Sequence, residues 1–185
     1  DLRRSRGLGD VYKRQLPTYV VTTCRGRAFN LALGYLFAGI ASKENIIIHE
    51  LSFDENGFLA KLSHEVEISK IPEVFRNDTS EDILQRYMMD SQLFSKRFRE
   101  VSSRSMLNPR RIGAEEVSPK QFQQKAEAIM TKHRQMDGSV IIREAMSEIL
   151  TGDLDMEQLR RFISRMDSED AVSYTHLTLP TSYAV

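Results

Sequence analysis

The sequence predicts an α+β fold, in which a small N-terminal layer of one strand, one helix and a hairpin precedes an all-helical C-terminal half. Two observations carry this prediction. Before Pro72, short β-branched runs flank a single helical stripe of apolar residues. After Pro72, apolar residues recur only at helical spacing, and the segments are separated by residues that typically begin or end helices.

The first half contains three predicted strands and one helix. The strands are rich in β-branched or apolar residues and cover Tyr19–Thr23, Asn45–Phe53 and Phe58–Leu62. A strong turn signal, Asp54–Gly57, joins the last two as a hairpin. The helix follows the turn Cys24–Arg27 and extends to about Ser42. Because Gly34 and Gly39 weaken its intrinsic helix propensity, we expect them to serve close packing against the sheet.

The second half is predicted as a series of helices. One opens at Asp78–Ser80 with acidic residues in its first turn, and a break near Ser91 separates it from the next. Ser118 and the proline after it predict another helix start. The later helices are predicted over Val140–Leu150, with Gly152 as terminator, and from about Asp155 onward. Between the helices, residues 111–117 are expected to form a loop.

The central helix, Phe94–Leu107, is the segment around which a function can be argued. Its apolar face is expected to consist of residues at helical spacing: Phe94, Phe98, Val101 and Ser105. Arg97 and Arg104 lie two turns apart on the adjoining flank. Asn108 and the following proline should stop the helix. Just beyond that stop, basic side chains extend the flank at Arg110 and Arg111.

Guanidinium groups in such a line suit phosphate oxygens, since arginine is always charged and planar. The alternative interpretation is a core helix whose arginines are solvated or paired with Glu100 and its neighbours. If the flank binds nucleic acid, replacing Arg97 and Arg104 with alanine should weaken single-strand binding and leave folding little changed.

A second candidate site is the turn Arg25-Gly26-Arg27 between a strand and a helix. Free backbone N–H groups at a helix N-terminus favour an anion, and two arginines beside them favour a phosphate. A turn glycine with two solvent-facing arginines is the alternative. Both interpretations place Arg25 and Arg27 at the start of the helix.

Both ends of the chain are expected to be foreign to the fold. Residues 10–15 can be encoded by GATGTGTATAAGAGACAG, and the reverse complement of that DNA encodes residues 171–177 in another frame. We therefore treat 1–15 and 172–185 as adapter-derived, and expect them to be disordered. The native part is divided into a strand–helix–hairpin region at 16–75 and a helical region at 76–171.

The charge of that native part argues against binding by a general positive field. Removing five basic and two acidic residues of segment 1–15 from totals of 26 and 26 leaves 21 basic and 24 acidic residues. Nucleic-acid binding therefore requires a local patch. The single cysteine, Cys24, excludes an internal disulfide and fits a reducing cytoplasm. No apolar run is long enough to cross a membrane.

Motifs for phosphate or metal chemistry are absent from the sequence. There is no G-x-x-x-x-G-K-[ST] loop, so this chain is not expected to hydrolyse ATP or to hold a cofactor itself. His49, His64 and His133 are isolated from other metal-ligand residues. Cys24 has no nearby histidine, which argues against a catalytic thiol. A base-processing enzyme is therefore the least favoured class.

Three segments resemble one family in their order and spacing. They are T-C-R-G-R-A-F-N-L-A-L, F-S-K-R-F-R-E-V-S-S-R-S-M-L and I-I-R-E-A-M-S-E-I-L-T-G-D-L-D. This order resembles the DEAD/H-associated accessory region of Lhr-type (large helicase-related) ATP-dependent helicases, which follows the two motor domains and a winged helix. The sequence departs from the family pattern at Cys24-Arg25 and at Val140, where prolines or a phenylalanine are more usual.

The resemblance implies a fragment of a DNA-repair helicase that moves 3′ to 5′ along a single strand, with ATP and Mg bound by the motor. The fragment's expected partners are single-stranded DNA or RNA and the motor and winged-helix domains of the same parent chain, without a membrane. The residues assigned to nucleic-acid binding are Arg25, Gly26, Arg27, Arg97, Arg104, Arg110 and Arg111. The alternative is a stand-alone helical adaptor that binds protein.

Overall fold

The computed structural model of the 185-residue chain describes residues 16–64, 80–113 and 115–167. The two segments that are predicted to be adapter-derived and disordered, 1–15 and 172–185, lie outside these residues. Within them the fold is α+β, as predicted: a small antiparallel sheet lies in the N-terminal part, and mostly helices follow.

The N-terminal layer contains three strands and the longest helix of the described residues. The elements are β1 (Thr18–Thr22), α1 (Arg27–Lys43), β2 (Ile48–Phe53) and β3 (Gly57–Leu62). The sheet order is β1–β3–β2 with both pairs antiparallel. Phe58 is paired with Val21 on one side and Phe53 on the other, and its ring packs on α1, 5.8 Å from the ring of Phe37. The predicted strand–helix–hairpin arrangement is confirmed.

Helix α1 is buried along most of its length, including Phe29 and Leu36, which are fully buried. The two glycines allow different neighbours to approach. A Cβ on Gly34 would lie 3.2 Å from Phe58 Cγ, whereas a Cβ on Gly39 would lie 2.8 Å from Ile83 Cγ2. The expectation that both glycines face the sheet is therefore correct for Gly34 and wrong for Gly39, which faces a helix.

The C-terminal part consists of five helices, a short hairpin and a π-helical turn among the described residues. These are α2 (Ser80–Met88), α3 (Gln92–Arg104), β4 (Arg111–Ile112), β5 (Glu115–Glu116), α4 (Pro119–Arg134), α5 (Val140–Glu148), the π-turn (Ile149–Asp153) and α6 (Met156–Asp167). Their apolar faces and α1 form one core with the sheet, in which Phe94 and Phe98 are fully buried.

Serine side chains begin three of these helices. Ser91 Oγ accepts a hydrogen bond from the backbone N–H of Phe94 at 3.1 Å, and Ser118 Oγ accepts one from Gln121 at 3.4 Å. Ser139 does the same at the start of α5. Such bonds satisfy backbone donors that have no partner within the helix. The helix start predicted at Ser118 is confirmed.

Helix α3 ends earlier than predicted, at Arg104. Met106 adopts a left-handed backbone conformation, with φ 58°, and the N–H groups of Leu107 and Asn108 both donate to the carbonyl of Ser102. Ser102 is buried and Ser105 is exposed, which corrects the predicted apolar face. Asn108 does not stop the helix but lies buried beyond it.

Two further expectations fail in this half. Within the predicted loop 111–117, Arg111–Ile112 and Glu115–Glu116 pair as two short antiparallel strands, with Arg111 opposite Glu116. Gly152 does not terminate α5, because it lies inside the π-turn, which Leu154 N closes by donating to Ile149 O at 3.0 Å. The N–H of this bond lies five residues beyond its acceptor carbonyl, which defines a π-helical turn.

Candidate nucleic-acid interface

The turn Arg25-Gly26-Arg27 lies where its sequence pattern predicts, between β1 and α1. Gly26 is the cap residue of α1 with φ 88°, a conformation that favours glycine. Arg25 is exposed, and its guanidinium carbon lies 5.4 Å from the ring centroid of Phe29 and 5.5 Å from that of Phe162. This cation–π stacking positions the charge above the start of the helix.

The anion position at the start of α1 holds a carboxylate of the protein itself. The backbone N–H of Arg27 donates to Glu55 Oε2 at 3.2 Å, and the Arg27 guanidinium donates to the carbonyl of Phe53 at 2.6 Å. The buried Asn30 donates to the carbonyl of Asp54 at 2.8 Å. The β2–β3 turn is therefore fixed against the helix N-terminus, and Glu55 supplies the negative charge that this end favours.

Arg97 lies at the centre of an acidic cluster. Its Nη2 donates to both oxygens of Asp153, at 2.8 and 2.7 Å, and its Nη1 donates to Glu100 Oε2 at 3.0 Å. Glu148 Oε2 lies 3.7 Å from Nη1. The hydrogen bond with Asp153 raises the pKa of Arg97 above its usual value, although burial opposes this. The ion pair with Glu100 agrees with the alternative interpretation of the sequence, in which the arginines of this helix pair with Glu100 and its neighbours.

Arg104 lies on the same flank of α3 as Arg97, as the spacing predicts. It donates to Glu148 Oε1, so the two arginines share one glutamate. The exposure of their side chains differs, at 25% for Arg97 and 60% for Arg104. Arg97 is therefore largely committed to internal pairing, while Arg104 retains a solvent-facing guanidinium.

Arg110 and Arg111 extend the basic surface beyond the end of α3. Both are exposed, and neither forms an ion pair within the described part of the chain. The guanidinium of Arg110 lies 5.5 Å from the ring centroid of Phe122. The position of Arg110 is fixed by the hairpin, because its carbonyl accepts from Val117 N at 2.9 Å.

A short connector brings the two groups of arginines near each other. Asp153, which binds Arg97, is followed after one residue by Asp155, whose N–H donates to the carbonyl of Ala28 at 3.3 Å in the first turn of α1. Asp155 also begins α6 by accepting from Gln158 N at 2.9 Å. Since a residue spans at most about 3.6 Å, Arg97 and the Arg27 turn adjoin the same connector.

The acidic partners Glu55, Glu148 and Asp153 are not predicted by the sequence reasoning above. A signal for two of them existed, because they belong to the third motif, I-I-R-E-A-M-S-E-I-L-T-G-D-L-D, and lie five residues apart. Two acidic residues five positions apart lie on the same side of a π-turn, and this spacing could have suggested that they share a cation. No feature of the sequence places them opposite Arg97.

Residues 16–64, 80–113 and 115–167 offer little for metal or thiol chemistry. They contain no group of three or more His, Cys, Asp or Glu residues able to hold a metal ion. His133 Nδ1 lies 2.9 Å from Ser139 Oγ, so its ring supports the start of α5. Cys24 is a free, exposed thiol. No helix in these ranges is long and apolar enough to cross a membrane.

Comparison with known proteins gives consistent similarities over most of the chain. Residues 10–184 match the model of the DEAD/H associated family. The chain is 23% identical over 175 residues to the ATP-dependent helicase Lhr-Core of Saccharolobus solfataricus, covering 90% of this chain and 20% of that protein. It is 24% identical over 179 residues to the ATP-dependent helicase Lhr-Core protein 2 of Thermococcus barophilus, covering 95% and 21%.

A solved structure is also similar, that of the Mycobacterium smegmatis helicase Lhr bound to ssDNA and AMP-PNP. Its TM-score is 0.65 at 21% identity, covering 81% of this chain and 19% of that chain. This likeness shows a shared fold. The chain spans about a fifth of the length of the relatives that it matches.

Proposed function

This chain belongs to the DEAD/H associated family, and from that premise we propose that it is the post-motor accessory domain of an Lhr-like ATP-dependent helicase. In this proposal it packs on the motor and winged-helix domains of its parent and forms part of the channel for a single strand. The observation that carries the proposal is the family match over residues 10–184, together with relatives of about five times the length that are named as helicases.

The nucleic-acid partner is suggested by the solved relative. That protein is described as bound to ssDNA and AMP-PNP, and this chain shares the fold of part of it. ATP and Mg would be bound by motor domains outside this chain, so the domain alone should not hydrolyse ATP. Its contribution would be to position the strand and to support the motor.

We assign the strand contact first to the arginines with exposed guanidinium groups. Arg104 is 60% exposed, and Arg110 and Arg111 are exposed without ion pairs among the described residues. In the sequence these three residues run from the last position of α3 into the segment that follows it. Channels for single strands track the backbone with positive groups, which a local patch can supply on a net-acidic domain. Phe122 beneath Arg110 adds an aromatic surface at the same place.

The remaining arginines would act more indirectly. Arg97 holds the π-turn through Asp153, and Arg27 holds the β2–β3 turn through Phe53. Both are therefore proposed to shape the surface as well as to add charge. Arg25, stacked on two rings at the start of α1, would be the strand contact of the second site, beside Gly26.

The test is single-strand binding by the intact parent helicase as a function of salt concentration. An Arg110→Ala/Arg111→Ala variant should bind single-stranded DNA more weakly. The slope of log affinity against log salt should fall by about one unit for each phosphate that the variant no longer binds. Arg161→Ala is the matched control, because Arg161 is exposed but paired with Glu157 on α6.

An unchanged salt slope in the double variant would overturn the assignment of these arginines. If Arg104→Ala added to that variant also left the slope unchanged, the α3 end would not line the channel. The protein-binding adaptor would then be the better proposal. Comparing single-stranded RNA with DNA in the same titration would determine which nucleic acid is preferred.

A further inference from the structure

A groove on another side of the domain is not used by the proposed strand contact. It lies between α2 on one side and α5, the π-turn and α6 on the other, with a volume of about 640 Å³. Its floor is apolar and rich in methionine, with Met89, Ile142, Met146, Leu150 and Met156 among the lining residues. Of these, Met89, Ile142 and Leu150 are only half-buried, so apolar surface remains open to the groove.

The two walls of the groove carry arginines. Arg86 on α2 and Arg143 on α5 line it from opposite sides, both are exposed, and neither has an ion pair within the described residues. Toward the start of α2, Arg160 of α6 donates to Glu81 across the groove. The groove is therefore apolar below and, among the described residues, carries one arginine without an ion pair on each wall. Asp82 lies on the α2 wall, and a neutral ion pair bridges the groove toward one end.

We propose that this groove docks a partner protein through an amphipathic helix with an apolar face and acidic flanks. Methionine side chains adapt to many apolar surfaces, and helices that bind in grooves present apolar residues at helical spacing. Two unpaired guanidinium groups on facing walls require carboxylates on both flanks of such a helix. Charge complementarity of this kind selects the partner and its orientation.

A nucleic-acid strand fits the groove less well. No aromatic residue is among the described residues that line it, although single strands are usually held by stacking on aromatic rings. The groove is thus distinct in composition from the surface around Arg110.

The experiment measures fluorescence anisotropy of a labelled peptide with the full chain. The probe is a peptide of about 16 residues, enough for four helical turns, with leucine at helical spacing on one face and glutamate on both flanks. A second peptide has lysine in place of each glutamate. The glutamate peptide should bind at least about tenfold more tightly than the lysine peptide, and less tightly as salt is raised.

Variants locate the site of binding. Arg86→Glu/Arg143→Glu should weaken the glutamate peptide about tenfold and strengthen the lysine peptide, which loss of folding could not do. Arg161→Glu, an exposed charge reversal on α6 outside the groove, should change neither affinity. Ile142→Gln, checked by circular dichroism for an unchanged fold, should weaken both peptides.

Several results would overturn the proposal. Absence of binding by both peptides, or equal binding of both, would remove the partner helix and its acidic flanks. Loss of single-strand binding in Arg86→Glu/Arg143→Glu would assign the groove to nucleic acid. Self-association that the same variant abolishes, measured by sedimentation, would assign it to a second copy of the chain.

Discussion

Replacing Arg97 with alanine should destabilise the fold much more than the same change at Arg104. Arg97 donates three hydrogen bonds to the carboxylates of Asp153 and Glu100, at 2.7–3.0 Å, and its side chain is only 25% exposed. Hydrogen bonds to charged groups contribute about 1.5–3 kcal/mol each, and partial exposure reduces that value. Since Asp153 would lose this partner, we expect the free energy of unfolding to fall by about 2–3 kcal/mol.

At Arg104 the expected decrease is about 1 kcal/mol or less, because its side chain is 60% exposed and its one pair is screened by solvent. Urea denaturation followed by circular dichroism measures both variants against the unchanged chain. Arg97→Lys is the second control. It keeps the positive charge but has a single terminal nitrogen, whereas Arg97 uses one nitrogen for Asp153 and the other for Glu100, so lysine should restore less than half of the stability that alanine removes.

A double-mutant cycle of Arg97→Ala with Asp153→Ala isolates the pair itself. We expect a coupling free energy of more than about 1 kcal/mol, because the residues touch directly. Equal and small effects of Arg97→Ala and Arg104→Ala, or additive effects in the cycle, would refute the conclusion that Arg97 is a structural clamp. The expectation from sequence, that folding is little changed without Arg97, would then hold.

Three further outcomes are expected from the same chain. Phe98→Ala should lower the free energy of unfolding by about 3–5 kcal/mol in urea denaturation, since the ring is fully buried and would leave a cavity. Gly57→Ala should lower the free energy of unfolding by at least about 1–3 kcal/mol, because the new Cβ would collide with the backbone carbonyl of Val21 in β1. Gly152→Ala should leave the free energy of unfolding nearly unchanged in the same urea denaturation, because no atom lies within 4 Å of the new Cβ. Burial raises the pKa values of Tyr35 and Tyr87, so the contribution of these two neutral phenols to stability should be complete below about pH 10 and be lost as pH rises further; Tyr35→Phe should reduce that loss in alkaline denaturation.

Local patterns were sufficient to predict most of the fold. The strand–helix–hairpin order, the helix start at Ser118 and the burial of Phe94, Phe98 and Val101 follow from periodicity and from capping residues, which act over a few positions. The end of α3 was predicted less well. Proline signals a stop, but here the left-handed residue Met106 turns the chain earlier, and methionine gives no sequence signal for that conformation.

The candidate site was predicted in position but not in pairing. Spacing placed Arg97 and Arg104 on one flank of α3, as observed. Glu100, three positions after Arg97, was named as a partner in the alternative interpretation. Glu148 lies 44 positions after Arg104 and Asp153 lies 56 positions after Arg97, and only tertiary packing brings these partners to the arginines. The hairpin at Arg111 was missed for a related reason, because two-residue strands are too short to show an alternating pattern.

The strand order of the sheet has a consequence for how the domain assembles. β2 and β3 are joined by a tight turn, so their hairpin can form from local contacts within microseconds. Among the described strands β1 pairs with β3 alone, and its closure must span the whole of α1 and β2. The first strand in the chain is therefore expected to be among the last to join the sheet. Until it does, the backbone groups along one edge of β3 remain unpaired, and this edge is where a nascent chain would be most prone to aggregation.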